Sequence, residues 1–280
     1  MSEYRYDDFW SRLGDRYARE DPLGAVCWDG APTWFNRFFA QFQVRAVRSA
    51  LEAQFGAGRR DGRALDLGCG TGRWTRWLDD WWSDPVGADI SRGMLSAADP
   101  AHPYAQTDVT ALPFRDSSFE FALSVTVLLH LPHDAQERAI REVARVLKPG
   151  GAFLMLEMVN RVADRGHVFP NSVARWSELL TGAGLHVERV RGEAYAPLLR
   201  LAFGAADRFA GARSRGAATD TMKAASDEKL HSSAFAQLPG PAALVARAAV
   251  AASYPLEYVV APLLPPGIAL NTCILAKKPG

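Results

Sequence analysis

Between a Pro32-Thr33 start and a Gly56 stop, Phe35, Phe38, Phe39, Phe42, Val47, Leu51 and Phe55 recur at roughly helical spacing. That pattern predicts an amphipathic helix. After it the periodicity changes. Ala64, Leu65 and Leu67 read as the end of a buried strand, and Arg73 to Leu78 as the start of a helix, with Gly68, Gly70 and Gly72 turning the chain between them. Pro85 to Asp89 predicts a second strand, and Ser91 can cap a following helix that carries Met94 and Leu95. Residues 103–114 predict a third strand and its exit loop, and Phe119 to Val125 a fourth strand. Asp134 to Leu147 predicts a helix whose inner face is Ala135, Ile140, Val143, Ala144 and Leu147, stopped by Lys148-Pro149-Gly150-Gly151. Ala152 to Val159 is almost continuously apolar, as a strand covered on both faces would be. One more helix over 171–183, a sixth strand over Leu185 to Val190 and a last one over Ile268 to Lys277 complete the set. Strands alternating with helices predict an α/β fold with a mostly parallel sheet.

Two stretches fall outside that alternation. Residues 1–62 read as an N-terminal helical cap, 63–195 as the core, 196–266 as a helical insertion and 267–280 as the core's last strand. The insertion is far longer than a hairpin between neighbouring strands needs, and its apolar segments predict a lid over a cleft. Seven of the eight tryptophans precede residue 83, so Trp10, Trp28 and Trp34, with Tyr17, either pack the cap onto the core or close over an active site.

Composition adds boundaries. The chain has 280 residues, 48% hydrophobic and 22% charged, the balance of an ordinary globular protein. A net charge of +1 gives no broad attraction to nucleic acid, so no nucleic-acid partner is expected. Cys27, Cys69 and Cys273 form no redox or metal pair, which predicts free thiols in a reducing, cytoplasmic setting. The polar, acidic N-terminus does not read as a secretory signal. Arg247, Pro255, Glu257 and Pro262 interrupt the most apolar late stretch, so no integral membrane segment is expected. The six histidines show no metal-ligand spacing, and no metal is expected. A homodimer is compatible with all of this.

The glycine loop carries the chemistry. Glycines after a strand let a ligand lie against the backbone, and the helix start behind them offers N–H donors. A dinucleotide fingerprint would need its third glycine at position 73, which is Arg73. Asp89 follows Asp66 by 23 residues, near the spacing at which such folds place a carboxylate on a ribose. Asp66-Leu67-Gly68-Cys69-Gly70-Thr71-Gly72, then Asp89, then Asp108-Val109-Thr110-Ala111-Leu112-Pro113-Phe114, then Leu147-Lys148-Pro149-Gly150-Gly151-Ala152-Phe153, occur in that order. Together they resemble class I S-adenosylmethionine (SAM)-dependent methyltransferases over about residues 60–195. Glu120 stands where that family more often has Asp.

The resemblance implies a Rossmann-like seven-stranded sheet whose last strand inserts antiparallel beside the sixth. It implies SAM as cofactor, held by Asp66, Gly68, Cys69, Gly70 and Gly72 of the loop and by Asp89 and Ile90 at the ribose. Met94 would face the core or the adenine, Asp108 would accept from the adenine amino group and Val109 would meet the ring. Ser124 and Val125 would face the methionine part.

Methyl transfer to a hydroxyl calls for a base. His130, after the fourth strand, and Glu157, at the end of the fifth and expected to face the cleft, are the candidate catalytic residues. His133, His167 and Tyr195 are weaker candidates, and ordinary polar packing is the alternative for each. The large apolar cap points to a small, rather apolar acceptor, of specialised or isoprenoid metabolism. Two rivals stand beside this reading. One is C-methylation of an isoprenoid diphosphate, which would need cations such as Arg12, Arg16, Arg19, Arg161 and Arg165 at the pocket mouth. The other is a non-catalytic SAM-binding or partner-activating protein.

Overall fold

The structure is a computed structural model that describes residues 4–17, 33–159, 167–193, 263–269 and 271–280, together with 244, 248 and 251–252. Its strands are β1 (Arg60–Leu67), β2 (Trp82–Asp89), β3 (Tyr104–Gln106), β4 (Phe119–Val125), β5 (Leu147–Met158), β6 (His186–Glu193) and β7 (Asn271–Lys277). They form one sheet in the order β3-β2-β1-β4-β5-β7-β6. The first five are parallel, and β7 lies antiparallel between β5 and β6. The α/β class and mostly parallel order are those expected from the sequence, and the antiparallel β7 is the strand that the family resemblance implied.

Successive residues of β5 serve opposite faces. Phe153 and Met155 join a core with Leu65, Leu67, Ile140, Val143 and Trp176, while Leu154 and Leu156 join another with Val47, Leu51, Trp74 and Leu123. Both faces are covered, so a period-2 strand reads as an unbroken apolar run. Helices α1 (Tyr6–Tyr17) and α2 (Thr33–Phe55) precede the sheet. Next come α3 (Arg73–Leu78), α4 (Arg92–Ser96), α5 (His133–Val146) and α6 (Val173–Gly182).

Several boundaries differ from the sequence pattern. Lys148-Pro149-Gly150-Gly151 does not separate a helix from a strand; it lies inside β5. Leu147 already pairs with Phe119, and the register then shifts before Phe121 meets Ala152. Gly150, at φ 77°, donates its N–H to the Lys278 carbonyl, so the stretch is a bulge held by the chain's end. Ile268 belongs to a 3-10 turn, Pro266–Ile268, and strand pairing of β7 begins only at Asn271. β1 begins at Arg60, taking in residues assigned from sequence to the cap.

Helix α1 lies tightly on α4. A Cβ at Gly14 would stand 2.8 Å from the Met94 nitrogen, and one at Gly93 would stand 2.7 Å from the Gly14 carbonyl carbon. Two missing side chains let the backbones meet. The insertion expected at 196–266 lies outside the described residues except for positions 244, 248, 251–252 and 263–266, as do Tyr195, Arg19, Arg161 and Arg165. Among the described residues no helix is long and apolar enough to cross a membrane.

Candidate functional site

The site forms where β1, β2 and β4 end. The Gly68 and Cys69 N–H groups donate to the Ala88 carbonyl at 2.7 and 3.0 Å, fastening the loop to β2. Gly72 has φ 74°, and a side chain there would strike the Tyr104 ring as well as strain the backbone. The loop is therefore pinned from below and left bare above.

Asp89, at the end of β2, accepts the Gly70 N–H on one carboxylate oxygen and the Ser91 N–H on the other, both at 2.8 Å. Burial pushes its carboxyl pKa up, and the backbone donors oppose that. Ser91 in turn caps α4, its hydroxyl accepting from the Met94 N–H at 3.2 Å. Asp108 lies in the loop after β3. Its Oδ1 accepts the Thr110 N–H at 2.8 Å and its Oδ2 accepts the Tyr6 hydroxyl at 2.6 Å.

A cleft of about 660 Å³ opens over these groups. Nine residues singled out from sequence line it: Gly68, Gly70, Asp89, Ile90, Met94, Asp108, Val109, Val125 and His130. Five others do not. Asp66 is buried beneath the loop, accepting the Thr75 hydroxyl at 2.7 Å, with burial pushing its carboxyl up to about 7. Cys69 and Gly72 face the Tyr104 side of the loop, where burial pushes the Cys69 thiol up. Ser124 is fully buried and donates to Glu157 at 3.4 Å.

Glu157 does not face the cleft, contrary to its expected place. It is fully buried, and its carboxylate accepts the N–H groups of Val127, Leu128 and Leu129 at 3.2, 3.0 and 3.3 Å. The 3-10 turn Leu128–His130 thus starts on a buried carboxylate. Burial raises the Glu157 pKa to about 7, the N–H donors holding it below what burial alone would give. Its work here is to seat the turn that carries His130.

His130 sits in an aromatic cluster. Its Nδ1 lies 3.0 Å from the His167 carbonyl oxygen, and its ring stacks on His167 with centroids 5.2 Å apart. Trp10 meets it edge-on at 4.8 Å, Phe9 stacks on His167 with centroids 4.5 Å apart, and the Tyr4 hydroxyl donates to the His130 carbonyl at 3.0 Å. A carbonyl only accepts, so Nδ1 carries the hydrogen, and in the neutral ring Nε2 carries the lone pair. His133 lies outside the cleft lining, its Nδ1 3.3 Å from the Gln136 side-chain oxygen.

Tyr6, Trp10, Thr126, Val127 and Leu131 also line the cleft. Of these only Trp10 is singled out from sequence, as an aromatic that would either pack the cap onto the core or close over an active site. The only signal for the first two was the aromatic density of the N-terminus, and Thr126 and Val127 gave none.

The donor set fits SAM. A ribose diol and an adenine amino group both donate, and two carboxylates, Asp89 and Asp108, stand along the cleft to accept. Ile90, Met94 and Val109 provide apolar walls for a flat ring, and the bare glycine loop leaves room beside them.

A methyltransferase-domain family model matches residues 65–155. The demethylmenaquinone methyltransferase of Mycobacterium tuberculosis is 42% identical over 115 residues, which are 40% of this chain and 46% of that protein. Methyltransferase GfsG of Streptomyces halstedii is 31% identical over 109 residues, 35% of this chain and 38% of that one. The chain therefore spans less than half the length of either relative. The solved structure of the [4+2]-cyclase SpnF shares the fold at a TM-score of 0.59 and 20% identity, with 99% of this chain and 97% of that one covered. A sheet of this order, a glycine loop followed by two acids, and a matching domain model converge: residues 65–155 form a methyltransferase domain of the class I SAM-dependent kind.

Proposed function

We propose that this protein transfers a methyl group from SAM to a hydroxyl of a small, rather apolar metabolite. The observation that carries the reading is the continuity of one cleft. The groups suited to SAM, from Gly68 to Val109, pass without a break into Trp10, Val127, His130 and Leu131. The names of the relatives, a demethylmenaquinone methyltransferase among them, support a small organic acceptor. In this reading the partner is that acceptor, met in the cytoplasm.

Bound SAM supplies a methyl group already activated by its sulfonium. The protein's own task is to hold an acceptor oxygen in line with it, a positioning effect of about 7–11 kcal/mol when the geometry is right. Trp10, Val127 and Leu131 supply apolar surface for the acceptor and exclude water from the reacting centre. His130, oriented through Nδ1 by the His167 carbonyl, takes the acceptor's proton at Nε2. Glu157 acts only through the turn that it holds.

The described lining of the cleft contains two carboxylates and no lysine or arginine, which favours a neutral acceptor over a diphosphate. The fold alone does not assign methyl transfer, since a [4+2]-cyclase shares it. Incubation with methyl-labelled SAM and a panel of neutral apolar alcohols and phenols, their diphosphates, peptides and oligonucleotides separates the readings. Label is expected in a neutral small molecule. Label only in diphosphates, protein or nucleic acid would overturn the acceptor class, and SAM binding with no labelled product from any acceptor would favour a non-methylating role.

A further inference from the structure

We propose that Tyr6 is a positioning residue for the cofactor, orienting the Asp108 carboxylate through the hydrogen bond from its hydroxyl. The proposal rests on the reading of this cleft as a SAM site. Asp108 projects from a loop, where a side chain would otherwise choose among rotamers. Its Oδ1 is held by the Thr110 N–H two residues on, a local restraint only. The second restraint comes from 102 residues away, the Tyr6 hydroxyl at 2.6 Å from Oδ2. Two donors on two oxygens fix the carboxylate plane. Each oxygen of an ionised carboxylate keeps one further lone pair, so the group can still accept from a ligand. Both Tyr6 and Asp108 line the cleft.

The hydroxyl is useful only if Tyr6 itself is held, and α1 holds it. Its far end is seated where Gly14 meets the Met94 backbone, and Trp10 packs against Met94 in its middle. Just ahead of the helix, the Tyr4 hydroxyl is given to the His130 carbonyl. The Tyr6 ring packs against the edge of the main core, so ring and hydroxyl have separate roles. Burial raises the Tyr6 pKa to about 12, with the Asp108 hydrogen bond adding to that, and the hydroxyl remains a donor throughout the neutral range.

Tyr6→Phe keeps the ring and removes the hydroxyl. Wild type is first titrated with SAM by calorimetry, since absence of binding there would overturn the underlying reading rather than the role of Tyr6. Given binding, Tyr6→Phe is expected to raise both Kd and KM for SAM about tenfold, in keeping with loss of one hydrogen bond to a charged group. The acceptor-saturated kcat should stay within twofold and the melting temperature near that of wild type. In an Asp108→Ala background the same substitution should have no further effect on SAM binding. Unchanged SAM affinity, a fall confined to kcat, or an equal loss with and without Asp108 would each overturn the proposal. Should the melting temperature fall, the Asp108 cycle still decides, because a purely structural loss would persist without the carboxylate.

Discussion

His130 shows how a residue can be located from sequence while its role stays hidden. Its place after the fourth strand follows from the apolar run Phe119–Val125, which the structure reproduces as β4. Its tautomer depends on a carbonyl 37 residues away, at His167, which no local pattern reveals. The same holds for Glu157. A carboxylate at the end of a buried strand had to be either exposed to the cleft or satisfied, and the three N–H groups that satisfy it belong to a turn about thirty residues earlier. If His130 removes the acceptor's proton, His130→Ala should lower kcat by about 10²–10⁴-fold. SAM affinity, measured by calorimetry, should change less than threefold, because Asp89 and Asp108 are untouched. A kcat within threefold of wild type would leave His130 a packing residue.

At the scale of elements, the strands of the core were legible because burial on both faces, or glycine and proline at the ends, wrote them into the sequence. The bulge at 148–151 was not, since a Pro-Gly-Gly run looks alike whether it ends a helix or distorts a strand; what decides is Leu147 pairing with Phe119 across the sheet. Helix α1 is the harder case. Its partner surface is the five-residue α4, and the contact is made by two glycines, Gly14 and Gly93, that carry no hydrophobic signal at all. That contact is testable. Gly14→Leu favours the helix locally, by about 1 kcal/mol relative to glycine. It also places a side chain against the Met94 backbone and the Ser91 hydroxyl, where overpacking costs typically about 1–3 kcal/mol. The expected result is a lower melting temperature together with a raised KM for SAM, since Tyr6 and Trp10 shift with the helix. A variant that melts higher and binds SAM as before would mean that α1 does not depend on this approach.

Across the whole molecule, two buried acids set how stability responds to pH. Asp66 beneath the glycine loop and Glu157 beneath the 127–129 turn have carboxyls raised by burial to about 7, from ordinary values of 3.8 and 4.5. Between those limits the folded state binds more protons than the unfolded one, so their contribution is fully present at low pH and is lost as pH rises towards 7. Glu142 and Asp134, each hydrogen-bonded by an arginine, are shifted down instead. Their contribution is present above the unfolded carboxylate range and lost only as pH falls below it, so the two effects occupy different windows. Both buried acids lie within elements that carry the site, which ties this cost to keeping the glycine loop and the His130 turn in place. Urea unfolding at a series of pH values from 5 to 8 should therefore show the free energy of unfolding falling as pH rises. Asp66→Asn and Glu157→Gln should each flatten that fall, whatever they do to absolute stability, because the amide has no proton to lose. A free energy that climbs steadily from pH 5 to 8, or a slope that neither substitution changes, would show that these two carboxyls do not titrate where burial places them.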